Sequence, residues 1–131
     1  MASKKKPVVD RVDPARLSSS RKDLFFAAME TSQSAMIVCD PAQPDNPIIF
    51  ANQAFLRLTG YEQDEVIGRN CRLLQGPETD KRALRQVQQA MTCRHEVCVE
   101  VLNYRKDGST FWNELFISPL FNESGQLVLS L

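Results

Sequence analysis

The chain carries no net charge. Its 131 residues hold 16 basic and 16 acidic side chains, which argues against a broad electrostatic grip on nucleic acid or an anionic membrane. No apolar run approaches the ~18 residues that span a bilayer. The lysines Lys4, Lys5 and Lys6 are followed by no apolar stretch, so a cytoplasmic chain without a secretory signal is expected. There is no internal repeat and no low-complexity segment. Metal-ligand spacing also falls short. Cys93, His95 and Cys98 offer three zinc donors where a structural site uses four, so they read as a helix end and a strand start with no metal. A Cys71–His95 nucleophilic pair lacks a third, orienting group. Asn122-Glu-Ser124 fits a glycosylation pattern that a cytoplasmic chain leaves unused.

What is present suits one globular domain. Hydrophobic residues make up 43% and charged residues 24%, enough to bury a core. In a reducing compartment Cys39, Cys71, Cys93 and Cys98 are expected as free thiols. Residues 1–12 read as a flexible tail and residues 13–32 as a helix, begun by Asp13-Pro14. Its Leu17, Leu24, Phe25, Ala28 and Met29 form an expected apolar stripe, packed on its own domain or on a second copy. Residues 33–131 form the core. Ala35–Cys39 and Ile48–Phe50 read as strands. Asn52–Leu58, Tyr61–Ile67 and Thr79–Met91 read as helices, the first two stopped by Gly60 and Gly68. The period then changes to two in Val97, Val99 and Val101. Asp107-Gly108 signals a hairpin into a strand over Thr110–Leu120, and Asn122–Gly125 a turn into a last strand, Gln126–Leu131. The order predicts an α+β fold: an antiparallel sheet of five strands, covered on one face by short helices.

Two groups of polar residues stand out. Gly68-Arg-Asn-Cys-Arg-Leu-Leu-Gln-Gly-Pro77 brackets a thiol, two arginines, an Asn and a Gln between glycines. Arginine grips phosphate with two parallel bonds, and Asn and Gln suit the polar edge of a planar heterocycle. The same stretch also reads as a capped surface helix with a buried cysteine. Asn103 and Asn113 lie on expected strands, where Asn fits poorly. They point either into one shared pocket or to solvent.

The stretch Gly68-Arg-Asn-Cys71-Arg-Leu-Leu-Gln-Gly-Pro-Glu-Thr-Asp80 resembles the signature of light-oxygen-voltage (LOV) domains, the flavin-binding branch of the PAS fold. The resemblance continues in Asp45-Asn-Pro-Ile-Ile-Phe-Ala-Asn52, Leu58-Thr-Gly-Tyr61, Asn103-Tyr104 and Phe111-Trp-Asn113, in the family's order and spacing, over about Ala35 to Gln126. It implies a PAS fold with an N-terminal cap helix, and blue-light sensing without turnover of a substrate.

The cofactor so implied is flavin mononucleotide (FMN). Cys71 matches the thiol that bonds reversibly to flavin carbon C4a. Asn70 and Gln75 match pocket residues flanking it, and Arg72 the phosphate arginine. Asn103 and Asn113 match the pair at the polar edge of the isoalloxazine ring, and Asn46 a contact on the ribityl side. Ile37, Cys39, Leu115 and Ile117 match ring-packing positions, joined by Leu74. Several positions depart from the family. Gln88 stands where a second phosphate arginine is frequent, with Arg85 as a candidate substitute. Cys39 replaces the usual Thr, and Leu115 a frequent Phe. The last-strand glutamine of the family would fall just beyond Leu131, which implies either a shortened chain or a missing switch. No output domain is evident in the sequence. The expected partners are FMN, a second copy through the N-terminal helix or the sheet face, and an unnamed signalling protein. The competing expectation is a light-insensitive PAS interaction module.

Overall fold

The alternation of apolar and polar side chains late in the chain builds the longest strand pair. In the computed structural model, which describes residues 19–93, 95–119 and 127–131, β3 (Val97–Tyr104) and β4 (Thr110–Pro119) run antiparallel, from Val97 opposite Ile117 to Tyr104 opposite Thr110. On β4, Asn113, Leu115 and Ile117 are buried, and Trp112, Glu114 and Phe116 are exposed. The turn between the strands needs a residue with positive φ, and Gly108 supplies it at +90°. Asp107 closes that turn by accepting from the Ser109 amide and hydroxyl.

Two shorter strands, β1 (Met36–Cys39) and β2 (Ile48–Ala51), pair with each other, and β5 (Leu127–Ser130) joins the halves in the order β2-β1-β5-β4-β3. Five antiparallel strands are thus present, as expected. Ile37, Leu129 and Ile117 stand side by side across the sheet. They face a core that includes Phe55, Val66, Leu74, Val87 and Ala90. That face is covered by α2 (Gln53–Thr59), α3 (Gln63–Val66), a 3-10 turn at Cys71–Leu74, and α4 (Lys81–Cys93). On α4 the buried Ala83, Val87, Ala90 and Met91 recur at three- and four-residue steps. The stretch over 68–77 is therefore no capped surface α-helix; only four of its residues coil, and in the tighter form.

Helix α1 (Ser19–Thr31) departs from the expected stripe. The start at Asp13-Pro14, the 1–12 tail, the side chains of Leu17 and Phe25, and the Asn122–Gly125 turn lie outside the described residues. Leu24 is 69% exposed and Ala28 is exposed, whereas Met29 is buried. Leu24 and Met29 are five residues apart, roughly 140° around a helix, so they do not share a face. The packed face is instead Phe26, Met29 and Glu30. The Phe26 ring lies 5.2 Å from that of Phe50, and Glu30 accepts from the Gln53 amide.

Asn52 joins α1, β1 and α2. It is fully buried. Its Oδ1 accepts from the amides of Met36 (2.9 Å) and Phe55 (3.0 Å), and its Nδ2 donates to the carbonyls of Met29 (2.8 Å) and Ser34 (2.9 Å). All four hydrogen-bonding positions of the amide are used. Asn52→Ala strands these backbone groups. It is expected to lower unfolding free energy by roughly 2–4 kcal/mol, read as a lower urea midpoint at unchanged slope. A shift below ~0.5 kcal/mol, the size of an ordinary surface substitution, would mean that other contacts hold the α1 end.

Candidate functional site

The site begins with two residues in the left-handed backbone region. Asp45 (φ 68°) and Asn46 (φ 47°) adopt it, which Asx side chains tolerate better than most. The bend brings the Asp45 carboxylate to the Arg72 guanidinium, which donates Nη1 to Oδ1 at 3.0 Å and Nη2 to Oδ2 at 2.5 Å. This fork holds the Asp45 carboxyl below, and the Arg72 guanidinium above, their ordinary values. Both side chains are more than half exposed, so the pair adds little to stability. Asn70 closes the same corner. Its Oδ1 accepts from the Arg72 amide and caps the 3-10 turn, and its Nδ2 donates to the Asp45 carbonyl at 2.7 Å.

Cys71 is the first residue of that turn and half-buried against the core. Cys39 is fully buried on β1. The Cys39 thiol is pushed far up, first by the neighbouring Cys71 side chain and then by burial. The Cys39 side chain in turn holds Cys71 below its ordinary value, with a smaller contribution from the Arg72 charge.

Beside Cys71 lies a cavity between the sheet and the helices. Its apolar wall is built from Ile37, Leu74, Val87, Val101, Leu115 and Leu129, and Leu131 also borders it. Its polar lining is Cys71, Gln75, Asn103 and Asn113. Asn103 and Asn113 are diagonal neighbours, because Asn113 stands opposite Val101. Both are buried, so the pocket-facing alternative holds. Asn113 Nδ2 donates to Asn103 Oδ1 at 2.7 Å, and Asn103 Nδ2 donates to the Leu74 carbonyl at 3.2 Å. Asn113 Oδ1 is buried without a partner among the described residues. An acceptor left so is costly, and it calls for a donor. The space itself is small, about 20 Å³, room for a water and not for a planar ring.

Of the residues singled out in the sequence, the fold gathers Ile37, Cys71, Leu74, Gln75, Asn103, Asn113 and Leu115 at one cavity. Cys39 and Ile117 lie fully buried in the surrounding core. Asn46, Asn70 and Arg72 form the corner beside Cys71, where the Arg72 fork is occupied by Asp45. Arg85 and Gln88 are exposed on α4 and outside the lining. Sequence reasoning missed Val87, Val101, Leu129 and Leu131. For Val101 a signal existed: it lies two residues before Asn103 on the same strand face.

The second glycine of the motif has a steric reason. A Cβ on Gly76 would overlap the ring of Tyr104, whose hydroxyl accepts from the Glu78 amide at 2.9 Å. Among the described residues no three His, Cys, Asp or Glu side chains form a metal-binding group, and no helix is long and apolar enough to cross a membrane.

Comparison with known proteins gives a consistent result. Residues 33–131 match the PAS domain family model. The chain is 49% identical over 109 residues to a blue-light-activated histidine kinase of Brucella anthropi, covering 83% of this chain and 22% of that protein. Against one of Rhizobium johnstonii it is 47% identical over 111 residues, covering 85% and 32%. It therefore spans a fifth to a third of these relatives. Among solved structures, it resembles the LOV domain of the Erythrobacter litoralis EL346 blue-light activated histidine kinase. The TM-score is 0.71 at 38% identity, covering 74% of this chain and 92% of that one. The light-state Aureochrome1 LOV domain gives 0.71 at 44% identity, covering 79% and 83%.

The Gly76 contact yields a test of the local packing. Gly76→Ala must displace the Tyr104 ring and its bond to Glu78, at an expected cost of about 1–3 kcal/mol in thermal or urea unfolding. Tyr104→Ala in the same chain should recover part of that loss, the mark of a direct coupling between the two sites.

Proposed function

The chain belongs to the PAS family as a LOV domain, and from this we propose that it senses blue light through bound FMN, with Cys71 bonding reversibly to flavin carbon C4a. The observation that carries the reading is Asn113 Oδ1, a buried acceptor without a donor on the cavity wall. The edge of an isoalloxazine ring presents an N–H flanked by carbonyl oxygens, which is the complement of an acceptor beside amide donors. The apolar wall suits the ring faces. When bound, the flavin supplies the light absorption and the electrophilic carbon.

The chain's own residues supply the rest. Asn113 and Asn103 hold the polar edge and so fix the ring's rotation about its long axis. Gln75 adds a further amide on the Cys71 side. Cys71, on a short turn capped by Asn70, has little freedom to move away from the ring. Arg72 holds the phosphate by exchanging the Asp45 carboxylate for it. Asn46 contacts the ribityl chain, while Ile37, Cys39, Leu74, Leu115 and Ile117 pack the ring. Arg85 or Gln88 lies further along α4 as a secondary phosphate contact.

We read residues 33–131 as the sensing core and residues 13–32 as its cap helix. The relatives named above are histidine kinases. This chain corresponds to a sensor segment of such proteins and turns over no substrate itself. Its output passes to a cytoplasmic signalling partner or to a second copy, through the N-terminal helix or the sheet face. The exposed Leu24, Trp112 and Phe116 mark both places. A second reading, a light-insensitive PAS interaction module, is favoured by the small cavity. Flavin entry requires the Leu74 and Val87 wall to move away from the sheet.

Absorption spectra of the purified chain before and after a blue-light pulse decide between these readings. A flavin band that bleaches and returns in the dark is expected. Cys71→Ala should keep the band and lose the bleaching; persistent bleaching would remove Cys71 from the mechanism. Asn113→Leu removes the orphan acceptor and should weaken FMN binding by about 1–3 kcal/mol, roughly 5- to 150-fold. A chain that takes up no added FMN supports the interaction module.

A further inference from the structure

We propose that Asp45 is a built-in competitor for the flavin phosphate: its carboxylate occupies Arg72 until the phosphate displaces it, and so limits how tightly the chain holds FMN. This role rests on the flavin binding proposed above and adds to it a residue that acts on the phosphate end alone.

The corner is built to keep that carboxylate at hand. Arg72 donates to both Asp45 oxygens, Nη1 to Oδ1 at 3.0 Å and Nη2 to Oδ2 at 2.5 Å. A guanidinium grips a phosphate with the same pair of parallel bonds, so carboxylate and phosphate compete for one fork. The loop that presents Asp45 is pinned on both sides. Asn70 Nδ2 donates to the Asp45 carbonyl at 2.7 Å, and the Asn46 amide donates to the Gln43 carbonyl at 3.3 Å. Further along, the Ile48 amide donates to the Arg69 carbonyl, and the Ile48 carbonyl accepts from the Gly68 amide, both at 2.8 Å. An incoming anion therefore turns the Asp45 side chain aside without carrying off its backbone. The displaced carboxylate stays tethered beside the fork, at high effective concentration.

Exposure makes the exchange possible. The Arg72 and Asp45 side chains are 58% and 60% exposed, and an ion pair in such a setting is weak. A phosphate monoester carries about 1.5 to 2 negative charges at neutral pH, against one on the carboxylate, so it can take the fork. Binding must first open the pair, which lowers the apparent affinity by the fraction of chains in which the fork is open. Once displaced, the carboxylate also repels the phosphate that replaced it. Riboflavin has the same ring and ribityl chain but ends in a neutral hydroxyl, so it makes no such demand on Arg72. Removing the Asp45 charge should strengthen FMN binding and leave riboflavin binding as it was.

The test titrates the full chain, stripped of flavin, with FMN and with riboflavin, and follows the quenching of flavin fluorescence. Asp45→Asn keeps the side-chain size, suits the left-handed backbone and removes the charge. Its Kd for FMN should fall roughly 3- to 10-fold, with the Kd for riboflavin and the urea midpoint unchanged. Asp45→Gly, which also accepts that backbone, should repeat the gain. Asp64→Asn makes the same change in net charge at an exposed position of α3 and should alter neither affinity. FMN binding that is unaltered or weaker in both Asp45 variants overturns the proposal, as does an equal gain for riboflavin or in Asp64→Asn. In each of those outcomes flavin binding itself stands. If parent and variants bind neither flavin, the light-sensing reading fails and the role of Asp45 falls with it.

Discussion

A single buried amide holds the chain's three local segments in register. Asn52 ends β2, opens α2 and binds the backbone of α1 and β1, with all four of its hydrogen-bonding positions used. Because it sits at 0% exposure, no water can replace a lost partner cheaply. Helix α1, strand β1 and helix α2 are thus tied at one point. The cavity inherits this order, since Ile37 on β1 forms part of its wall.

The sheet was largely legible in the sequence because its signals are local. Two-residue alternation marks β3, and Asp107-Gly108 marks the hairpin that follows it. Asn103 and Asn113 were legible as misfits, since a strand rarely holds Asn without a reason. What was illegible depends on contacts between distant segments. The stripe expected on α1 used Leu24, but the helix faces its domain with Phe26, Met29 and Glu30, a choice made by Phe50 and Gln53. Likewise Arg72 is an arginine free to bind anything when read along the chain. Folded, it lies against Asp45, 27 residues earlier. Val87 sits on the three- and four-residue stripe of α4, whereas Leu129 lines the cavity through packing that no spacing encodes.

The site also shows how a binding surface departs from the rules that stabilise a fold. A core position in β4 would be satisfied by Leu or Val. Asn113 instead brings a polar amide inside, finds a partner for its donor in Asn103, and leaves its oxygen without a partner among the described residues. Its neighbours Val101 and Leu115 follow the ordinary apolar pattern. Polar character is thus confined to one corner of an otherwise greasy wall, which gives direction to anything that binds there.

The strand order has a consequence for how the domain is made. β1 and β2 pair early in the chain, and β3 and β4 pair later, but the two halves touch in the sheet only through β5. During synthesis from the N-terminus, each half therefore emerges with one inner edge of unpaired peptide groups. Those edges wait for the same short strand, Leu127–Ser130. The halves cannot close on each other without it, and its arrival pairs it with β1, roughly 90 residues back along the chain. The last strand of this sheet to emerge is thus its keystone, and until then the two halves have inner edges to shield from their neighbours.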